Sequence, residues 1–137
     1  MLGATPADWR AAVRIAGEAL VAAGSAKPAY ADEMIRMIEE HGPYVVIAPG
    51  LALAHARPGP AVLADGLAVV TLAEPVNFGH PHNDPVSVVL ALAVVAADKH
   101  LAMVAGLANV FNDSTAIDDL AAATSVAEVQ QIMKVNQ

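Results

Sequence analysis

The stretch VSVVLALAVVAA, residues 86–97, decides the fold. Its length suits a helix as well as a strand, so apolar periodicity alone does not separate the two. Composition does. Val86, Val88, Val89, Val94 and Val95 are β-branched and favour the extended chain. Asn83-Asp84-Pro85 in front of them is a turn signal. With no polar face to show to water, the run reads as a strand buried on both sides.

Working outward, two more β-rich segments precede it. GLAVVTLAEPV from Gly66 is a second strand, and YVVIAPGLALAH from Tyr44 is two short strands broken by Pro49-Gly50. Helical spacing takes over on either side. Thr5 and Pro6 are expected as N-cap and first helical residue, with Asp8 in the first turn and Trp9, Val13, Ala16 and Leu20 on one face until Gly24. Pro28 opens a second helix lined by Met34, Ile35 and Ile38 and closed by Gly42-Pro43. Beyond the strands, Leu101, Val104, Ala105, Ala108 and Phe111 mark a buried helix with Asp98 as N-cap. A short helix follows NDST, and Ser125 with Glu128 makes a capping box for the last one. The expected architecture is a single α/β domain over residues 1–137, with a mixed central sheet flanked by helices on both faces.

Composition narrows the function. Seven basic residues against fourteen acidic ones give a net charge of −7, which removes the phosphate-neutralising surface that nucleic-acid binding needs. The acidic surface either steers a basic protein partner or serves solubility. The longest charge-free apolar run, Pro85 to Ala97, is shorter than the roughly 20 residues of a membrane-spanning helix. The N-terminus lacks the basic and apolar regions of a signal peptide. There is no cysteine, hence no disulfide framework and no thiolate chemistry, which suits the reducing cytoplasm.

The histidines carry what chemistry there is. His55 ends a strand, where ligand sites of open α/β sheets gather, and Arg57 follows two residues on. If the extended geometry persists, both side chains share a face, and the guanidinium favours the neutral, nucleophilic imidazole. That pair suits an anionic electrophile such as a phosphoryl group; the other reading is a surface histidine beside a solvated arginine. His100 lies in the first turn of the helix from Asp98, where free N–H groups attract anions, and reads equally as an exposed side chain. His80 and His82, in FGHPHNDP, have zinc-gripping spacing, but with no cysteine and no clear third ligand they read as a polar loop. Asp84 is expected to cap that turn or orient a ring. Met34, Met37 and Met103 are core fillers.

Three blocks, HGPYVVIAPGLALAHARP, VVTLAEPVNFGHPHNDPV and AVVAADKHLAMVAGLANVFND, carry a resemblance. Together they resemble the IIA component of the sugar phosphotransferase system, in its mannitol/fructose class and more closely its ascorbate-specific branch. The resemblance implies a phosphoryl relay without cofactor or metal: His55 takes the group on Nε2 from the carrier HPr and passes it to a IIB component. It also implies that His100 stabilises the phosphorylated form, and Arg57 is expected to offset charge. Two departures stand out. Ala54 and Ala56 flank His55 where the family commonly has Pro and Gly, which predicts a changed backbone or less room for phosphate. The chain also begins later than its relatives, which predicts an open sheet edge and a route to a homodimer. Two other functions fit the same residues less well: a regulatory module of this fold switched by phosphorylation, and a zinc-dependent hydrolase built on the five histidines, for which no His-Glu-x-x-His spacing exists.

Overall fold

The structure is a computed structural model that describes residues 2–56, 59–96, 102, 114–123, 125 and 127–128. Two helices come first, α1 (Trp9–Ala22) and α2 (Ala29–His41). Four strands follow, β1 (Val46–Ala48), β2 (Leu51–His55), β3 (Gly66–Val76) and β4 (Val86–Ala93), then helix α3 (Ser114–Ala122). The sheet order is β1-β2-β4-β3. β2 and β4 run parallel, and the two outer pairings are antiparallel, so the sheet is mixed.

Residues 86–93 are indeed a strand, and their alternation explains the two layers. Val88, Leu90, Leu92 and Val94 point to one side, into a cluster with Leu51, Leu53, Ile117 and Leu120 under α3. Val89, Ala91 and Ala93 point to the other, against Val13, Ala16, Leu20, Tyr30 and Met34 of α1 and α2. Small alanines on the second face let the helix pair lie close to the sheet. Each fully buried Val or Leu contributes about 1.5–3 kcal/mol of transfer free energy, which outweighs any local helical preference of the run.

The sheet's edges and turns follow from local chemistry. Pro49 and Gly50 form the tight connection between β1 and β2, with Gly50 at φ +80, a region that a side chain would disfavour. After β2, residues 61–64 return to the α1–α2 connection: Lys27 N–H donates to Ala61 O at 2.7 Å, and Leu63 N–H to Ser25 O at 2.8 Å. The capping contact from Glu128 N–H to Ser125 Oγ is formed, at 3.2 Å.

One expectation changes. Helix α1 starts at Trp9 with Asp8 as its N-cap, its carboxylate accepting from Ala11 N–H at 2.9 Å. Thr5 and Pro6 are not helical, because the chain just before them is pairing with the sheet: Ala4 N–H donates to Thr71 O and Ala73 N–H to Ala4 O, at 2.9 and 2.8 Å. The same contact bridges Ala4 to Leu72 of β3, an edge strand of the sheet. The helix expected from Asp98, with Met103, lies outside the described residues.

Candidate functional site

The site is built where β2 and β4 end side by side. Their ladder runs from Leu51↔Val88 to His55↔Leu92, so His55 is the last paired residue of β2. Side chains alternate along the strand, which puts the imidazole on the face of Leu51 and Leu53, at the rim of the core beneath α3. It is half-buried there.

One hydrogen bond sets its chemistry. Nδ1 of His55 lies 2.8 Å from the carbonyl oxygen of Leu53. A carbonyl oxygen only accepts, so Nδ1 carries the proton, and in the neutral ring the lone pair sits on Nε2. Tyr44 holds the ring from the side, edge-on, with centroids 5.5 Å apart, and its hydroxyl approaches the His55 carbonyl at 3.4 Å. Behind it Tyr44 is edge-on to His41 in turn, at 6.4 Å.

Past His55 the chain is pinned from inside. Ala56 is buried, and its N–H donates to the hydroxyl of Tyr30 at 3.1 Å. Sequence reasoning did not single out Tyr30. A signal existed: it shares the stripe of Met34 and Ile38, and a phenol on a buried stripe must find polar partners. Ala54, on the other side of His55, is buried and pairs with Ala91. No described non-glycine residue has positive φ, so Ala56 takes a backbone that any residue adopts. A cleft of about 370 Å³ opens beside Ala56, lined in part by Glu33, Arg36, Glu40 and His41 of α2.

The remaining candidates separate. Arg57 and His100 lie outside the described residues. His80 and His82 sit in the loop before β4, where Nδ1 of His80 accepts from the N–H groups of His82 and Asn83 at 3.1 and 3.0 Å. That nitrogen is spent on the turn. Asp84 caps the same loop, accepting from Phe78, Gly79 and His80 N–H at 3.0, 2.7 and 3.0 Å. Among the described residues no three His, Cys, Asp or Glu converge as a metal site would require. No helix among them is long and apolar enough to cross a membrane.

Comparison with known proteins bears on the family and the fold. The profile of the phosphoenolpyruvate-dependent sugar phosphotransferase system, EIIA 2, matches residues 2–136. The chain belongs to that family. The EIIA chain is 38% identical over 133 residues to the ascorbate-specific PTS system EIIA component of Escherichia coli strain K12, covering 96% of this chain and 86% of that one. The counterpart from Salmonella typhimurium is 38% identical over 126 residues, 91% of this chain and 82% of its own. Among solved structures, mannitol IIA from Escherichia coli superposes with a TM-score of 0.84 at 29% identity, covering 97% of this chain and 94% of that one. The complex of mannitol IIA with phosphorylated mannitol IIB from the same organism gives 0.85 at 28% identity, over 98% and 93%. The mixed sheet and its helical layers are thus those of mannitol-type IIA proteins, and this chain is an EIIA component of a sugar phosphotransferase system.

Proposed function

We propose that this EIIA chain, as one domain over residues 1–137 working in the cytoplasm, carries a phosphoryl group on His55. The group arrives from the phosphohistidine of HPr and leaves to a cysteine of a IIB component. Ascorbate or a related sugar is the proposed cargo of the system, on the strength of the 38%-identical ascorbate-specific relatives. The solved pairing of mannitol IIA with phosphorylated IIB supports a IIB partner of the same kind.

The observation that carries this reading is the bond from His55 Nδ1 to Leu53 O. It leaves the lone pair on Nε2, at the end of a strand, in the tautomer that in-line attack on phosphorus requires. In the step, the Nε2–P bond forms as the N–P bond of the donor breaks, and the donor ring departs neutral. The accepting ring, holding hydrogen on Nδ1 and phosphorus on Nε2, becomes cationic. The Leu53 carbonyl stabilises that charge through a strengthened hydrogen bond, so no proton has to move. Phosphoryl transfer has a loose, charge-spread transition state, and positioning supplies most of the catalysis. Arg57 and His100 are proposed to balance charge and hold phosphoryl oxygens, roles that rest on the family resemblance.

The test is incubation with enzyme I, HPr and phosphoenolpyruvate, read by intact mass. Wild type gains one acid-labile phosphoryl group and His55→Ala gains none. Retention of the gain in His55→Ala refutes the assignment. Failure to pass the group on to a IIB cysteine refutes the carrier role in favour of a regulatory switch.

A further inference from the structure

Tyr30 is fully buried, the largest side chain among the described residues to be so. A phenylalanine would fill the same volume at lower desolvation cost, so the hydroxyl calls for an explanation. It accepts from Ala56 N–H at 3.1 Å and donates to Leu92 O at 2.7 Å, with Ala56 O a longer second acceptor at 3.3 Å. Leu92 is the ladder partner of His55, and Ala56 is its neighbour in the chain. A relay, N–H of residue 56 to the phenol oxygen and O–H to the carbonyl of residue 92, therefore crosses from the residue just past the last paired residue of β2 to the last residue of β4 that pairs with it.

We propose that Tyr30 is a positioning residue for phosphoryl transfer at His55, its hydroxyl spliced between the ends of two parallel strands so that the imidazole leaves the sheet in one direction. The inference rests on the phosphocarrier reading. Besides the edge-on ring of Tyr44, the histidine is then restrained by the Leu53 carbonyl on its ring, the ladder to Leu92 on its backbone, and the phenol on the next amide. The last is the one a chain leaving a sheet would otherwise lack. Burial also keeps the phenol protonated throughout the range in which an imidazole titrates, so the relay keeps its polarity.

Tyr30→Phe removes the hydroxyl and little else. Phosphoryl uptake from phospho-HPr is expected to lose about tenfold to hundredfold in kcat, the range that small misplacements of reacting groups cost, with KM nearly unchanged because the docking surface is untouched. Val13→Ala, in α1, serves as a control that weakens the core while keeping wild-type kcat. Wild-type kcat in Tyr30→Phe, or an equal loss in Val13→Ala, overturns the proposal.

A second measurement needs neither transfer nor a folded variant. In wild type, the Ala56 amide should exchange with solvent as slowly as the ladder amides of β2. Exchange at the rate of an exposed loop amide overturns the relay. A wild-type protein that shows this protection but takes no phosphate refutes the phosphocarrier reading instead, and with it the role in transfer, leaving the relay as architecture.

Discussion

The ring of Tyr44 stands at 89° to that of His55, edge toward face, with the centroids 5.5 Å apart. Such pairs contribute about 0.5–1.5 kcal/mol beyond their buried area, and here the contribution goes into holding one orientation of a half-buried imidazole. Tyr44→Leu is therefore expected to slow phosphoryl uptake several-fold, and Tyr44→Phe, which keeps the ring, to slow it less. Stopped-flow or quench measurement of uptake from phospho-HPr checks the order. A larger loss in the phenylalanine variant would show that the ring contact is not what matters.

Alkaline unfolding tests the burial of Tyr30. Burial pushes its phenol up to about 12 from the ordinary 10.0, so the unfolded chain releases this proton before the folded one does. The stability held by the neutral phenol is whole below pH 10 and drains as pH climbs to about 12, on the order of 3 kcal/mol in all. Denaturant midpoints of wild type should fall over that window more steeply than those of Tyr30→Phe. Parallel curves for the two proteins would contradict the assignment.

Asp84 makes a stability prediction that separates loop architecture from metal binding. Its carboxylate serves three backbone N–H groups at the start of the His80–His82 loop. Asp84→Ala should cost about 1–3 kcal/mol by chemical denaturation, since water replaces the lost acceptor only in part. Added zinc should leave both proteins unchanged. Stoichiometric zinc in purified wild type would reopen the histidine loop as a metal site.

Gly17 tests the helix pair. A Cβ there would meet Ala31 Cβ at 2.7 Å and Ala31 Cα at 3.2 Å, and the second of these is backbone that cannot swing aside. Alanine gains about 1 kcal/mol of helix propensity over glycine, but overpacking costs about 1–3 kcal/mol. The steric term is expected to win, and Gly17→Ala should lower Tm. A raised Tm would mean that α1 and α2 separate more readily than their packing suggests.

Much of this fold is legible in the chain because its strands are short, apolar and well punctuated. β3 spans Gly66–Val76 as the β-rich run does, and the Pro49-Gly50 break falls between β1 and β2. The strand at residue 86 is decided by valines and by burial on both faces. Less legible is whatever depends on distant partners. Thr5 and Asp8 are equally good caps on paper, and Asp8 serves because Ala4 is engaged with β3. That β2 lies beside β4 and not beside β3 is a matter of long-range pairing that local periodicity does not encode. His55 is visible as a histidine at a strand end, but its tautomer depends on a rotamer that reaches back to its own strand's carbonyl. Tyr30 could have been suspected from its spacing with Met34 and Ile38, though not the two backbone groups it joins.

The most direct test of the account is the site of phosphorylation within the ring. Histidine labelled with ¹⁵N, phosphorylated through HPr and observed by ¹⁵N and ³¹P NMR, should show phosphorus on Nε2 of His55 and a proton retained on Nδ1. Phosphorus on Nδ1, or on any other histidine, would contradict the claim that the Leu53 carbonyl selects the nucleophile.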